Sequence, residues 1–98
     1  MTRLVVSARA LDDLERLCEF LEQRLPLEAA RTAELVADGL EILKNHPAIG
    51  RPAGHGLREL VISRGRTGYL ALYAWDRDAD VVSVLALRHQ HEAGYDAG

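Results

Sequence analysis

Cysteine is nearly missing from this chain: Cys18 is the only one in 98 residues. A lone thiol excludes an intramolecular disulfide, and no metal motif can be built on it alone. It lies on an apolar helical face, where a buried structural thiol is expected. Long apolar runs are missing too. None approaches the ~20 residues needed to span a membrane. The opening segment, Met1-Thr2-Arg3-Leu4-Val5-Val6-Ser7, is apolar too briefly for a signal peptide. The cytoplasm is therefore the expected compartment. A large charge excess is also lacking. The net charge is −3, so overall charge does not make the chain a polyanion binder.

What is present is ordinary globular composition, 48% apolar and 28% charged, which argues against disorder. The length suits one domain spanning residues 1–98, with no repeat and no second unit. A domain this size buries about two-thirds of its unfolded surface. That is one core, so an active surface is expected to be a shallow groove or an edge. The charge is unevenly spread. Residues 1–43 carry five arginines and nine acids, whereas residues 44–66 carry Lys44, Arg51, Arg58, Arg64 and Arg66 against Glu59 alone. An acidic helical half precedes a locally basic segment that can be either a solvated loop or an anion-facing patch.

Leu4-Val5-Val6 reads as a short first strand. Ser7 reads as a helix N-cap, its side-chain oxygen free to accept from a first-turn N–H. Leu11, Leu14, Cys18, Leu21 and Leu25 follow at alternating spacings of three and four, one face of a helix. Asp12, Asp13 and Glu15 near its start suit the helix dipole. Pro26 stops it. A second helix restarts at once, with Glu28 in its first turn and Ala33, Val36, Leu40 and Leu43 on one face. So short a connection implies an antiparallel helical hairpin. Each face runs under three heptads, so a domain core is expected rather than a coiled coil.

Asn45-His46-Pro47 ends the second helix. Ala48 to Gly56 is rich in Gly and Pro and reads as a loop. No strand precedes it and no Gly-Lys-Ser/Thr closes it, which excludes a phosphate-binding loop. Three strands follow: Leu57 to Ser63, Tyr69 to Trp75, and Val81 to Leu87. Arg64 to Gly68 and Asp76 to Asp80 are the turns, short enough to force antiparallel pairing. The expected class is α+β: an N-terminal strand, an antiparallel helical hairpin, then a three-stranded antiparallel meander in one mainly antiparallel sheet of four strands. The hairpin is the only available cover for one face. The strands are apolar on both sides, so a partner is expected against the other.

Arg88, His89, His91, Glu92 and Tyr95 cluster after the last strand, in a polar tail that reads as leaving the sheet. Imidazole titrates near neutrality and Tyr can donate a proton, so His89 and Tyr95 are candidates for acid–base work. Arg88 can hold a phosphate bidentately. A solvated tail explains the same residues equally well. His89 and His91 lack a third ligand, so no metal is expected. Asp12, Glu15, Glu19 and Glu22 read as a solvated helix face. There is no Ser/His/Asp or Cys/His arrangement.

The order of pieces is more specific than any one of them. It runs His46-Pro47-Ala48-Ile49-Gly50-Arg51, Leu57-Arg58-Glu59-Leu60-Val61, Gly68-Tyr69-Leu70-Ala71-Leu72-Tyr73, and Val84 to Tyr95 through Arg88-His89. Over nearly the whole chain this resembles the RelE/ParE toxin superfamily. The resemblance implies a growth-inhibiting toxin of a type II toxin–antitoxin, or plasmid stabilisation, pair. Its partner would be a cognate antitoxin in a hetero-oligomer, its antitoxin segment an amphipathic helix with or without an added strand. No cofactor is implied. RelE-like members cut mRNA in the ribosomal A site, and ParE-like members act on DNA gyrase.

RelE-like nucleases commonly carry a basic residue after Gly-Tyr in the middle strand, where this chain has Leu70, and others on the strand before, where it has Glu59 and Val61. The resemblance therefore leans to a ParE-like, non-hydrolytic toxin. Arg58, Arg64, Arg66, Arg88 and His89 are then the expected target contacts. The alternative is a metal-independent, ribosome-dependent endoribonuclease using Arg58, Arg88, His89 and Tyr95. A folded but inactive antitoxin-binding relative is the third reading.

Overall fold

The computed structural model describes residues 1–23, 25–64, 67–92 and 94–95. In chain order come strand β1 (Arg3–Val6), helices α1 (Ala8–Glu22) and α2 (Pro26–Glu41), and a 3-10 turn (Ile42–Lys44). Strands β2 (Arg51–Pro52), β3 (Arg58–Arg64), β4 (Thr67–Asp76) and β5 (Val81–His89) follow. They form one sheet in the order β1-β5-β4-β3-β2. The meander β3-β4-β5 is antiparallel, as its short turns require. β1 pairs in parallel with β5, Arg3 beside Val81 and Val6 beside Val84.

The sheet has five strands where four were expected. The extra one is β2, two residues of the Gly/Pro-rich loop lying antiparallel to Arg58 and Glu59. Proline is tolerated there because β2 is an edge strand. β4 and β5 also run longer than the sequence suggests, and β3 is shifted by one residue. β3 and β4 stay paired as far as Arg64 and Thr67, so Arg64, Thr67 and Gly68 of the expected turn belong to the ladder, and residues 65–66 lie outside the described residues. β5 continues through His89.

Ser7 ends β1 and starts α1. Its N–H donates to the Val84 carbonyl at 2.9 Å, its hydroxyl donates to the Leu85 carbonyl at 3.2 Å, and the same oxygen accepts from the Ala10 N–H at 3.1 Å. Pro26 occupies the first turn of α2, where its missing N–H leaves no bond unmade. The hairpin packs on one face of the sheet. Val36, Leu40 and Leu43 meet Leu60, Ile62, Ala71, Tyr73, Val82 and Val84 in the core. α2 comes so close to β3 that a Cβ at Gly39 would lie 2.9 Å from Ile62 Cγ1.

The buried face of α1 differs from the leucine stripe. Ala10, Asp13 and Leu17 are buried, while Leu11 and Leu25 are each 54% exposed. The reason is polar. β1 stops at Val6, so the outer edge of β5 beyond Val84 has no strand partner. Asp13 takes the vacant position, its Oδ2 accepting from the Leu87 N–H at 2.9 Å. A buried N–H needs such an acceptor. Asp13 is thus a sheet ligand rather than a dipole partner, since the first turn of α1 holds no acid. Cys18 is half-buried, and its thiol donates to the Ala29 carbonyl at 3.8 Å. Burial, then the nearby Glu22 charge, raise its pKa, as a structural thiol requires.

One irregularity decides the chemistry of the sheet. Leu72 pairs with Ala86 but Tyr73 pairs with Val84, leaving Leu85 as an extra residue in β5. This bulge reverses the alternation. Val82 and Val84 face the helices before it, and Leu87 and His89 face them after it. Arg88, paired with Leu70, is thereby turned to the open face. Among the described residues, no helix is long and apolar enough to cross a membrane.

Candidate functional site

The open face carries a four-residue cluster assembled from β2, β3, β5 and the tail. Glu59 is its centre, only 8% exposed. Arg51, its partner across the β2–β3 ladder, donates to Glu59 Oε1 through Nε at 3.0 Å and also through Nη2. Tyr95 donates to Oε2 at 2.6 Å. Arg88 Nη2 lies 4.0 Å from the same oxygen, and its guanidinium stacks 5.0 Å from the Tyr95 ring centre. Burial alone would raise the Glu59 pKa. The hydrogen bonds from Tyr95 and Arg51, with the charges of Arg51 and Arg88, outweigh it and hold the carboxyl below its usual range. Burial and the adjacent carboxylate push the Tyr95 phenol far up. Glu59 thus stays ionised and Tyr95 stays protonated near neutral pH.

The loop that delivers Arg51 is anchored from beneath. The buried Tyr73 hydroxyl accepts from the Gly50 N–H and donates to the Pro47 carbonyl, both at 2.8 Å. Arg58 Nη1 donates to the Gly50 carbonyl at 2.7 Å and the Ala48 carbonyl at 3.2 Å. Gly50 is required by space, because a Cβ there would lie 2.6 Å from the Tyr73 ring.

On the helical side, a groove of about 570 Å³ opens between the hairpin and the ends of β4 and β5. Leu17, Phe20 and Leu25 form its apolar wall, and Arg16, His89 and Glu92 its polar end. His89 meets Tyr69 edge-on at 5.3 Å, and the Tyr69 hydroxyl shares a buried hydrogen bond of 3.1 Å with Thr32. The His91 N–H donates to His89 Nδ1 at 3.1 Å, so a neutral ring carries its proton on Nε2. Burial and His91 lower the His89 pKa, with Glu92 opposing them.

The candidates taken from the sequence therefore fall into separate places. Arg88 and Tyr95 come together on the open face. His89 lies across the sheet from them, in the groove, and Arg58 faces the helical side, where it braces a loop. Arg66 and the side chain of Arg64 lie outside the described residues. Glu59 and Arg51 were missed, since sequence reasoning treated Glu59 as a missing base. The signal was the single acid in a basic segment. The tail does not simply leave the sheet, for Tyr95 returns to Glu59. Among the described residues, no group of three or more His, Cys, Asp or Glu is placed to hold a metal ion.

A family model described as the ParE toxin of type II toxin–antitoxin systems, parDE, matches residues 4–94. The chain is 34% identical over 92 residues to Toxin RelE3 of Caulobacter vibrioides, spanning 94% of this chain and 98% of that one. It is 37% identical over 70 residues to Toxin RelE1 of the same organism, spanning 71% and 75%. Its fold matches a chain of the chromosomal ParDE system of P. aeruginosa at a TM-score of 0.77, with 18% identity, covering 91% of this chain and 96% of that one. A chain of the RelBE2 toxin–antitoxin complex of Mycobacterium tuberculosis matches at 0.60 with 24% identity, covering 91% and 98%.

Proposed function

Because the chain belongs to the ParE toxin family and is a toxin of a type II toxin–antitoxin system, we propose that it stops growth by acting on DNA gyrase without hydrolytic chemistry. A cognate antitoxin neutralises it in a hetero-oligomeric complex. One observation carries this reading: among the described residues, the open-face cluster sets its arginines beside a carboxyl and a phenol that do not exchange a proton near neutral pH. Glu59 is held ionised, Tyr95 is held protonated, and His89 is on the other face. RNA cleavage by the 2′-hydroxyl needs both a base and an acid within reach. Val61 and Leu70 supply no cation on that face either. Gyrase supercoiling measured against the purified chain is the test. Inhibition near stoichiometric ratio supports the reading, and unchanged supercoiling at large molar excess overturns it.

The second reading is ribosome-dependent mRNA cleavage. The meeting of Arg51, Arg88 and Tyr95 on one face favours it, as do the RelE relatives. It requires new message ends at the ribosomal A site, lost in Arg88→Ala and Tyr95→Phe. Harmless overexpression without antitoxin would instead leave an antitoxin-binding module.

A further inference from the structure

His89, Glu92 and Tyr95 make contacts on both sides of the sheet, and Glu92 joins the two sets. On the groove side its Oε1 accepts from Arg16 Nη1 of α1 at 3.3 Å and from the His89 N–H at 3.0 Å. Its own N–H donates to the His89 carbonyl at 3.0 Å. Toward the open face its carbonyl accepts from Arg88 Nη1 at 2.7 Å. Three residues later Tyr95 covers that same guanidinium and donates to Glu59.

We propose that His89, Glu92 and Tyr95 form a two-sided latch, in which the Arg16–Glu92 contact at the groove rim and the Tyr95–Glu59–Arg88 contact on the open face stabilise each other. The closed latch keeps Arg88 covered. Its opening returns the guanidinium to solvent on the face that also carries Arg51. The two ends differ in access: the Arg16 side chain is 45% exposed and that of Arg88 only 17%. An anion that competes for Arg16 therefore acts on Arg88 from across the sheet without touching it. The coupling is a property of this tail and holds whichever cellular target the toxin has.

Coupling between two sites is reciprocal, so each end must respond to the other by the same factor. The full-length chain is tested as Arg16→Gln and, separately, Tyr95→Phe. Tyr95 nitration by tetranitromethane reads the open face, and amide exchange of the His89 N–H reads the groove side. Tyr69 and Tyr73 are buried, so the nitrated peptide distinguishes Tyr95. Arg16→Gln is expected to speed Tyr95 nitration about two- to fivefold, the range an exposed ion pair supports. Tyr95→Phe is expected to speed His89 exchange by a similar factor. The Arg3 N–H, which donates to the Asp80 carbonyl at the opposite end of β5 from the tail, is expected to stay unchanged in both. Should Arg16→Gln also loosen that amide, Arg16→Lys repeats the comparison with the charge kept. Nitration at the native rate in the Arg16 variant, or native His89 exchange in Tyr95→Phe, overturns the latch.

Discussion

Glu59→Gln is the substitution that most directly probes the open face. The native carboxylate takes two hydrogen bonds from Arg51 and one from Tyr95, with Arg88 4.0 Å away. Glutamine preserves shape and can still accept from Arg51 and donate to the Tyr95 oxygen, so contacts are weakened rather than deleted. A charge-assisted hydrogen bond contributes about 1.5–3 kcal/mol and a neutral one about 0.5–1.5. Arg51 is 61% exposed, so water replaces most of what it loses. The difference therefore falls on Tyr95 and Arg88, at about 1 kcal/mol each, or ~2 kcal/mol in total. A domain of this size has only about 5–15 kcal/mol of stability. The urea midpoint is thus expected to fall by about 1 M for a slope of ~2 kcal/mol per M. The pH dependence is the sharper check. The Glu59 pKa is lowered by folding, so its stabilisation is complete above the unfolded value of ~4.3 and is lost as pH falls through the folded value. The gap between native and variant is expected to be full at neutral pH and to close in acid. A gap that is absent, or that persists unchanged into acid, refutes the argument.

Three further substitutions test the scaffold around this cluster. Tyr73→Phe leaves the buried Gly50 N–H without its acceptor, so a loss of about 1–3 kcal/mol is expected by urea unfolding, with faster Gly50 amide exchange. Asp13→Ala removes the acceptor for the Leu87 N–H, and a similar loss is expected, with Leu87 exchange as the local readout. Leu11→Ser, on the exposed side of the same helix, is expected to stay within about 0.5 kcal/mol of the native chain. Equal effects at residues 11 and 13 would show that the face of α1 is wrongly placed.

The elements themselves were legible because their boundaries rest on local chemistry. Ser7 marks a helix start and Pro26 a break between helices in any context, and turns as short as Asp76 to Asp80 leave only antiparallel pairing. The face of α1 was not legible. The pattern of Leu11, Leu14, Cys18, Leu21 and Leu25 is a better apolar stripe than Ala10, Asp13 and Leu17, yet the second set is buried. What selects it is an unpartnered N–H in a strand more than 70 residues away, and helical periodicity carries no record of it. β2 was illegible for another reason. Two residues, one of them proline, have no alternation to read, and they form a strand only because β3 is already there to pair with.

The site was misread through the same gap between local pattern and register. Arg88 and His89 are adjacent, and a tail read as a tail puts them in one cluster. A regular strand would also have placed Arg88 on the side of Val82 and Val84. The bulge at Leu85 exchanges those faces, and it falls in Val84-Leu85-Ala86-Leu87, where every residue is apolar and alternation is blank. Arg51, Glu59, Arg88 and Tyr95 meanwhile converge from four segments because the ladder aligns Arg51 with Glu59 and the tail folds back on both. Counting cations along the chain treated each arginine as free for a target. In the fold, one buried carboxylate answers two of them and a phenol as well. Whatever the open face meets must therefore compete with Glu59, and the strength of that internal pairing sets how readily Arg51 and Arg88 are given up.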